Sequence, residues 1–186
     1  MSHVMQKYEY SPVILGEDTI RLLRLLPHPS ENSDIRCEIF YYSLQRPTKR
    51  SHQYEALSYV WGNPHETLPI FIGDRYFNVT QNLHAALSHL RDCSVERIIW
   101  VDAICINQAD TQEKEHQIQY MPRIYGQAKC VIVWLGEAAD NSDQVVQYIH
   151  DAAQDELAPL TRREVSEMDI LKLLTRPWFE RIWVRQ

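Results

Sequence analysis

Residues 100 to 110, WVDAICINQAD, form a strand that ends among short polar side chains. Ile98, Ile99, Trp100 and Val101 make a continuous β-branched and aromatic run, the pattern of a strand covered on both faces. Asp102 places a carboxylate where that strand runs out, and Cys105, Asn107, Gln108 and Asp110 follow it closely. Ligands of open α/β sheets bind outside the carboxyl ends of the strands, so a site is expected here. The same residues also suit a plainer task, in which Asp102 and Asn107 hold a loop by accepting backbone N–H bonds. Spacing alone favours neither reading.

Working outward, Tyr54 to Val60 reads as a strand stopped by Trp61-Gly62-Asn63-Pro64. Leu68 to Ile72 and Arg75 to Val79 flank Gly73-Asp74, a two-residue hairpin signal. Thr80 can cap a helix over Gln81 to Arg91, with Leu83, Ala86, Leu87 and Leu90 on one face. Beyond the central stretch, Asp110 and Glu113 have capping-box spacing for a helix reaching about Gln127. Its expected apolar stripe is Ile118, Met121, Ile124, Tyr125 and Ala128, and Pro122 should kink it.

Cys130 to Leu135 then reads as a second buried strand. Helices are expected over Ser142 to Asp155, over Arg162 to Leu174 with Thr161 and Glu164 as capping box, and from Pro177 onward. Upstream, Thr19 to Leu26 and Arg36 to Leu44 look like strands separated by the turn-rich Pro27 to Asp34. Alternating strands and helices from Tyr54 onward predict an α/β fold, a parallel sheet flanked by helices. Extra antiparallel strands come from the N-terminal third. Residues 1–53 are read as strands leading into a domain at 54–186, the whole being one structural unit.

A chain of 186 residues, 45% apolar and 24% charged, is globular in composition and long enough for a real core. The net charge of −6, with no long basic run, argues against nucleic acid and anionic membranes as partners. The pairs Lys49-Arg50 and Arg162-Arg163 read as solvated surface. No signal peptide and no membrane-length apolar run is visible, so an intracellular, cytoplasmic protein is expected. Cys37, Cys93, Cys105 and Cys130 form no CxxC pair, and reduced thiols follow.

Chemistry has few other footholds. A nucleophilic Cys105 would need a histidine beside it, and His84, His89 and His116 are not placed there by sequence. Cys105 between Ile104 and Ile106 reads more simply as a small buried hydrophobe. The histidines lack metal-ligand spacing, so no metal is expected. With 5 glycines and no GxGxxG, Walker or GxSxG loop, a tightly held redox dinucleotide is disfavoured, although a nucleotide bound to be cut is not. Glu113 reads as a helix cap, Glu115 as a solvated helix face and Glu137 as a surface loop residue. In the C-terminal RPWFERIWVRQ, Trp178 pairs with Ile182 and Phe179 with Trp183 at helical spacing, interleaved with Arg176, Arg181 and Arg185.

Taken together these segments resemble the fungal heterokaryon-incompatibility (HET) domain. The matching blocks are Tyr54-Glu55-Ala56-Leu57-Ser58-Tyr59-Val60-Trp61-Gly62, then Thr80 with Asn82-Leu83 and Ala86-Leu87, then Trp100 through Gln108 with Asp110. Glu113, Gln117, Met121, Ile124-Tyr125, Ala128, Val131 and Trp134-Leu135-Gly136 follow. Arg176-Pro177-Trp178-Phe179 with Arg181, Trp183 and Gln186 complete the set. The resemblance implies a part in fungal non-self recognition and programmed cell death, through an incompatibility partner protein or by self-association.

HET domains are in turn distantly similar to TIR domains, which are flavodoxin-like and some of which cleave NAD. That likeness implies no cofactor, NAD as a substrate, Asp102 as catalytic carboxylate, and Tyr59, Trp61, Gly62, Asn107, Gln108, Arg181 and Trp183 around the substrate. TIR enzymes carry their acid in a Trp-Cys-x-x-Glu element, whose nearest match is Trp183 to Gln186. HET domains usually continue from this glutamine into a glutamate, so the domain is expected to be cut short just before that acid. The enzymatic reading stands beside a non-catalytic signalling module and a weaker cysteine hydrolase using Cys105.

Overall fold

The apolar strands around Leu22, Ile99 and Leu57 lie side by side in one mixed sheet. The computed structural model describes residues 5–12, 18–30, 33–45, 54–153 and 165–181. Contacts divide the chain into two compact units, 1–134 and 135–186. The first holds strands β1 (Thr19–Leu25), β2 (Arg36–Ser43), β3 (Glu55–Tyr59), β4 (Thr67–Ile72), β5 (Arg75–Thr80), β6 (Arg97–Trp100) and β7 (Cys130–Trp134). It also holds helices α1 (Gln81–Leu90), α2 (Asp102–Cys105) and α3 (Thr111–Gln127). The second unit holds α4 (Ser142–Ala153), α5 (Glu167–Leu174) and a 3-10 turn at Pro177–Glu180.

The strands run in the order β5-β4-β2-β1-β6-β3-β7. The strands β6-β3-β7 form the sheet's parallel part and β2 also pairs in parallel with β4; β1 pairs antiparallel with both β2 and β6, and β4 with β5. The architecture is thus α/β with a mixed sheet, as expected. The N-terminal strands are not an appendage, because β1 joins the parallel part to the rest. Ile72 pairs with Arg75 across Gly73-Asp74, and Gly73 takes φ +59°, the left-handed conformation a two-residue turn demands.

Helices lie on both faces of the parallel part. Trp100 is level with Ala56, and Trp134 with Tyr59; Ala56 and Tyr59 are three residues apart, so the two tryptophans face opposite ways. Trp100 packs edge-on to Tyr125 of α3 at 5.6 Å, while Trp134 meets His89 of α1 at 5.0 Å. Ile99, Trp100 and Val101 are fully buried, as a central strand requires.

Several expectations are corrected. β7 is not a buried strand: it lies at the sheet edge, and Val131 and Val133 are exposed. In the stripe of α3, Met121, Ile124, Tyr125 and Ala128 pack against the core as expected, but Ile118 is exposed, and Glu113 and Gln117 are buried instead. The reason is polar: Gln117 donates to the Thr19 carbonyl at 3.0 Å and Glu113 meets Arg21, both on β1. Helix α3 runs unbroken from Thr111 to Gln127 through Pro122, which is exposed, so water can serve the carbonyl it leaves without a donor. Helix α5 starts at a Ser166–Asp169 capping box, later than expected, and Pro177 opens a 3-10 turn. Thr161 and Glu164 lie outside the described residues.

Candidate functional site

Strands β6, β3 and β7 run parallel, so their carboxyl ends, and the residues that follow, sit along one rim of the sheet. There Asp102 follows β6 and begins the single-turn helix α2, which sequence reading had taken for loop. Val101 has no side chain able to cap that turn, and the Asp102 carboxylate supplies the acceptor: Ala103 N–H donates to Oδ1 at 2.8 Å. The other oxygen accepts the Trp61 indole N–H at 2.9 Å. Trp61 is 41% exposed. A carboxylate and an open aromatic ring therefore lie together at the ends of adjacent parallel strands.

Trp61 is held by its own turn. Gly62 has φ +78°, a conformation costly for any residue with a Cβ. Val60, on the other side of Trp61, gives its carbonyl to the Asn82 Nδ2–H at 2.6 Å. Asn82 Oδ1 accepts the Trp134 indole N–H at 2.9 Å. Asn82 sits in the first turn of α1, whose N-terminus is fixed by the Thr80 side chain accepting Leu83 N–H. Hydrogen bonds thus link β7, α1, β3 and β6 at the rim.

Beyond Asp102 the loop is tied from within. Gln108 donates through Nε2 to the Asp102 carbonyl at 2.9 Å, and Asn107 Oδ1 accepts Ala109 N–H at 3.2 Å. Asp110 caps α3 by accepting Glu113 N–H at 3.0 Å. The Glu113 carboxylate does not complete a capping box; it accepts Asn107 N–H at 2.7 Å and pairs with both terminal nitrogens of Arg21. Arg21 is 1% exposed, also donates to the Cys105 and Ser11 carbonyls, and lies under the Tyr10 ring at 4.8 Å. Burial alone would lower its pKa, but the Glu113 hydrogen bond and charge outweigh that and raise it. Arg21 stays cationic and anchors the loop from below.

Of the expected site residues, Trp61, Gly62, Asp102, Asn107 and Gln108 come together at this rim. Tyr59 precedes them but is buried in the core at 1% exposure. Arg181 belongs to the second unit, where its N–H donates to the Trp178 carbonyl, and Trp183 lies outside the described residues. Both readings of the opening segment therefore have substance: Asp102 and Asn107 do hold backbone N–H groups, and Asp102 also faces Trp61. Two further contributors are Asn82 and Arg21, and the sequence signal of Arg21 is a cation within the apolar run of β1.

Cys105 is 1% exposed, its sulfur accepts Val101 N–H at 3.4 Å, and burial pushes its thiol up to about 12. A thiol that stays protonated and out of reach of solvent does not serve as a nucleophile. Among the described residues no three His, Cys, Asp or Glu side chains gather as a metal site, and no helix is long and apolar enough to cross a membrane.

The family described as "Heterokaryon incompatibility protein (HET)" matches residues 54–186. A curated relative, "Heterokaryon incompatibility protein 6, OR allele" of Neurospora crassa, is 34% identical over 163 residues, 80% of this chain. The matched part is 23% of that relative's length. No solved structure matches the chain.

Proposed function

The chain belongs to the heterokaryon incompatibility (HET) family, and from this we propose that it serves fungal non-self recognition as a cytoplasmic cell-death effector that binds and cleaves NAD at the strand-end rim. The observation that carries the proposal is the Trp61–Asp102 pair, an exposed ring beside a carboxylate at the ends of β3 and β6. The ring offers a stacking platform for a nicotinamide or adenine, and Gln108 holds the Asp102 main-chain carbonyl beside it. Cleavage of the nicotinamide–ribose bond sends its electron pair to the ring nitrogen, so nicotinamide leaves neutral. Water then adds to the ribosyl carbon and releases a proton. Asp102 steadies the oxocarbenium-like state between, as carboxylates do in glycoside hydrolysis. The chemistry asks for no metal.

A second reading is favoured by one observation. Both Asp102 oxygens already hold protein donors, Ala103 N–H and the Trp61 indole, which suits a fixed rim in a module that signals by meeting its incompatibility partner or another copy of itself. Incubating the purified chain with NAD and measuring free nicotinamide separates the two. Steady release, saturable in NAD, supports the effector; no release above buffer at micromolar protein supports the non-catalytic module.

A further inference from the structure

We infer that Asn82 is a positioning residue for the Trp61–Asp102 pair, a single amide that sets where the Trp61 turn stands over the rim. It grips that turn from both flanks. On one side its Nδ2–H donates to the Val60 carbonyl at 2.6 Å. On the other, a Cβ built on Gly62 would lie 3.3 Å from the Asn82 Cβ, so the glycine packs directly against the base of this side chain. Trp61 lies between those two contacts and reaches Asp102 with its indole N–H.

The third contact fixes the amide itself. Trp134 at the end of β7 donates its indole N–H to Asn82 Oδ1 at 2.9 Å. Because one partner is a carbonyl and the other an N–H, only one orientation of the amide satisfies both. No other side chain of this size does both tasks. Aspartate keeps the acceptor for Trp134 but sets a carboxylate oxygen against the Val60 carbonyl, and leucine offers neither bond. Anchoring α1 to the sheet would not need such chemistry, because Leu83, Ala86 and Leu87 already bury that helix. The work of the amide falls on the turn.

The positioning stands on this geometry alone; its consequence for NAD turnover rests on the proposed function. The test reads each separately in the intact chain. In nitrogen–proton correlation spectra the five tryptophan indoles give separate signals, and W61F identifies that of Trp61. D102N marks the position of the Trp61 signal when its carboxylate partner is lost. N82D is expected to move the Trp61 signal towards that position while leaving Trp100, buried in the core, where it is. W134F, which keeps an aromatic ring but removes the donor to Asn82, is expected to move it the same way and stands in if N82D does not fold.

A Trp61 signal unchanged in folded N82D, or in W134F when N82D does not fold, would overturn the inference and leave Asn82 a helix anchor. In the turnover arm, N82D is expected to lower kcat for nicotinamide release on the order of 10²-fold with a smaller change in KM, as misplacement of a reacting group does. If the wild-type chain releases no nicotinamide, the NAD reading fails while the spectra still decide the role of Asn82.

Discussion

Arg21 and Glu113 meet almost entirely out of water, at 1% and 4% side-chain exposure. Removing one member of such a pair strands the other, so R21M is expected to lower unfolding stability by about 3–5 kcal/mol. The double variant R21M/E113L should recover part of that loss, since two apolar groups need no partner. Urea denaturation of the wild type and the two variants checks this, and equal losses in R21M and the double variant would show that the stranded Glu113 carboxylate carries no penalty. Arg21 was not singled out from the sequence, because its partner lies 92 residues away and leaves no local trace.

Cysteine behaviour is a second check at this scale. Cys37 and Cys105 are buried with thiols pushed up to about 12, whereas Cys93 is exposed. Iodoacetamide at pH 8 should therefore label Cys93 in the folded protein and leave Cys37 and Cys105 untouched, as read by mass spectrometry. The raised values also fix a sign. The stabilisation from neutral buried thiols is complete below about pH 9 and is lost as pH climbs towards 12. The urea midpoint of the wild type should fall more steeply from pH 8 to 10.5 than that of C105A.

Two helix starts, those of α1 and α3, were legible because a cap is a local event. Thr80 and Asp110 each accept the N–H expected of them. D110A is expected to lower stability by about 1 kcal/mol, measured by thermal unfolding. Strand position was not legible. The run CVIVWL has the composition of a central strand, yet β7 has a single neighbour in the sheet, since composition reports burial tendency and not the number of pairing partners. Helix α2 was missed for a related reason: a single turn of four residues carries no periodicity, and its first donor is served by the side chain that starts it. The inward face of α3 was legible from Met121 onward but not in its first turns, where the buried residues are Glu113 and Gln117 and their burial depends on polar groups of β1.

On the scale of the molecule, the α/β class followed from alternation of strand and helix patterns, and the strand-end rim remains a candidate site that this class suggests. The antiparallel strands of the N-terminal third were legible too, but not that β1 sits inside the sheet between β2 and β6, because pairing across long separations leaves no local trace. Hydrogen exchange is expected to be slowest in β1 and β6, which have neighbours on both sides and buried side chains, and faster in edge strand β7. Equal protection across the sheet would contradict the strand order. The central claim, that the rim joined by Trp61 and Asp102 cleaves NAD, has one direct measurement: nicotinamide release by D102N relative to C105A, both shown to be folded by circular dichroism. The account predicts loss of release on the order of 10²-fold or more in D102N and retention in C105A. Release retained in D102N and lost in C105A would contradict it.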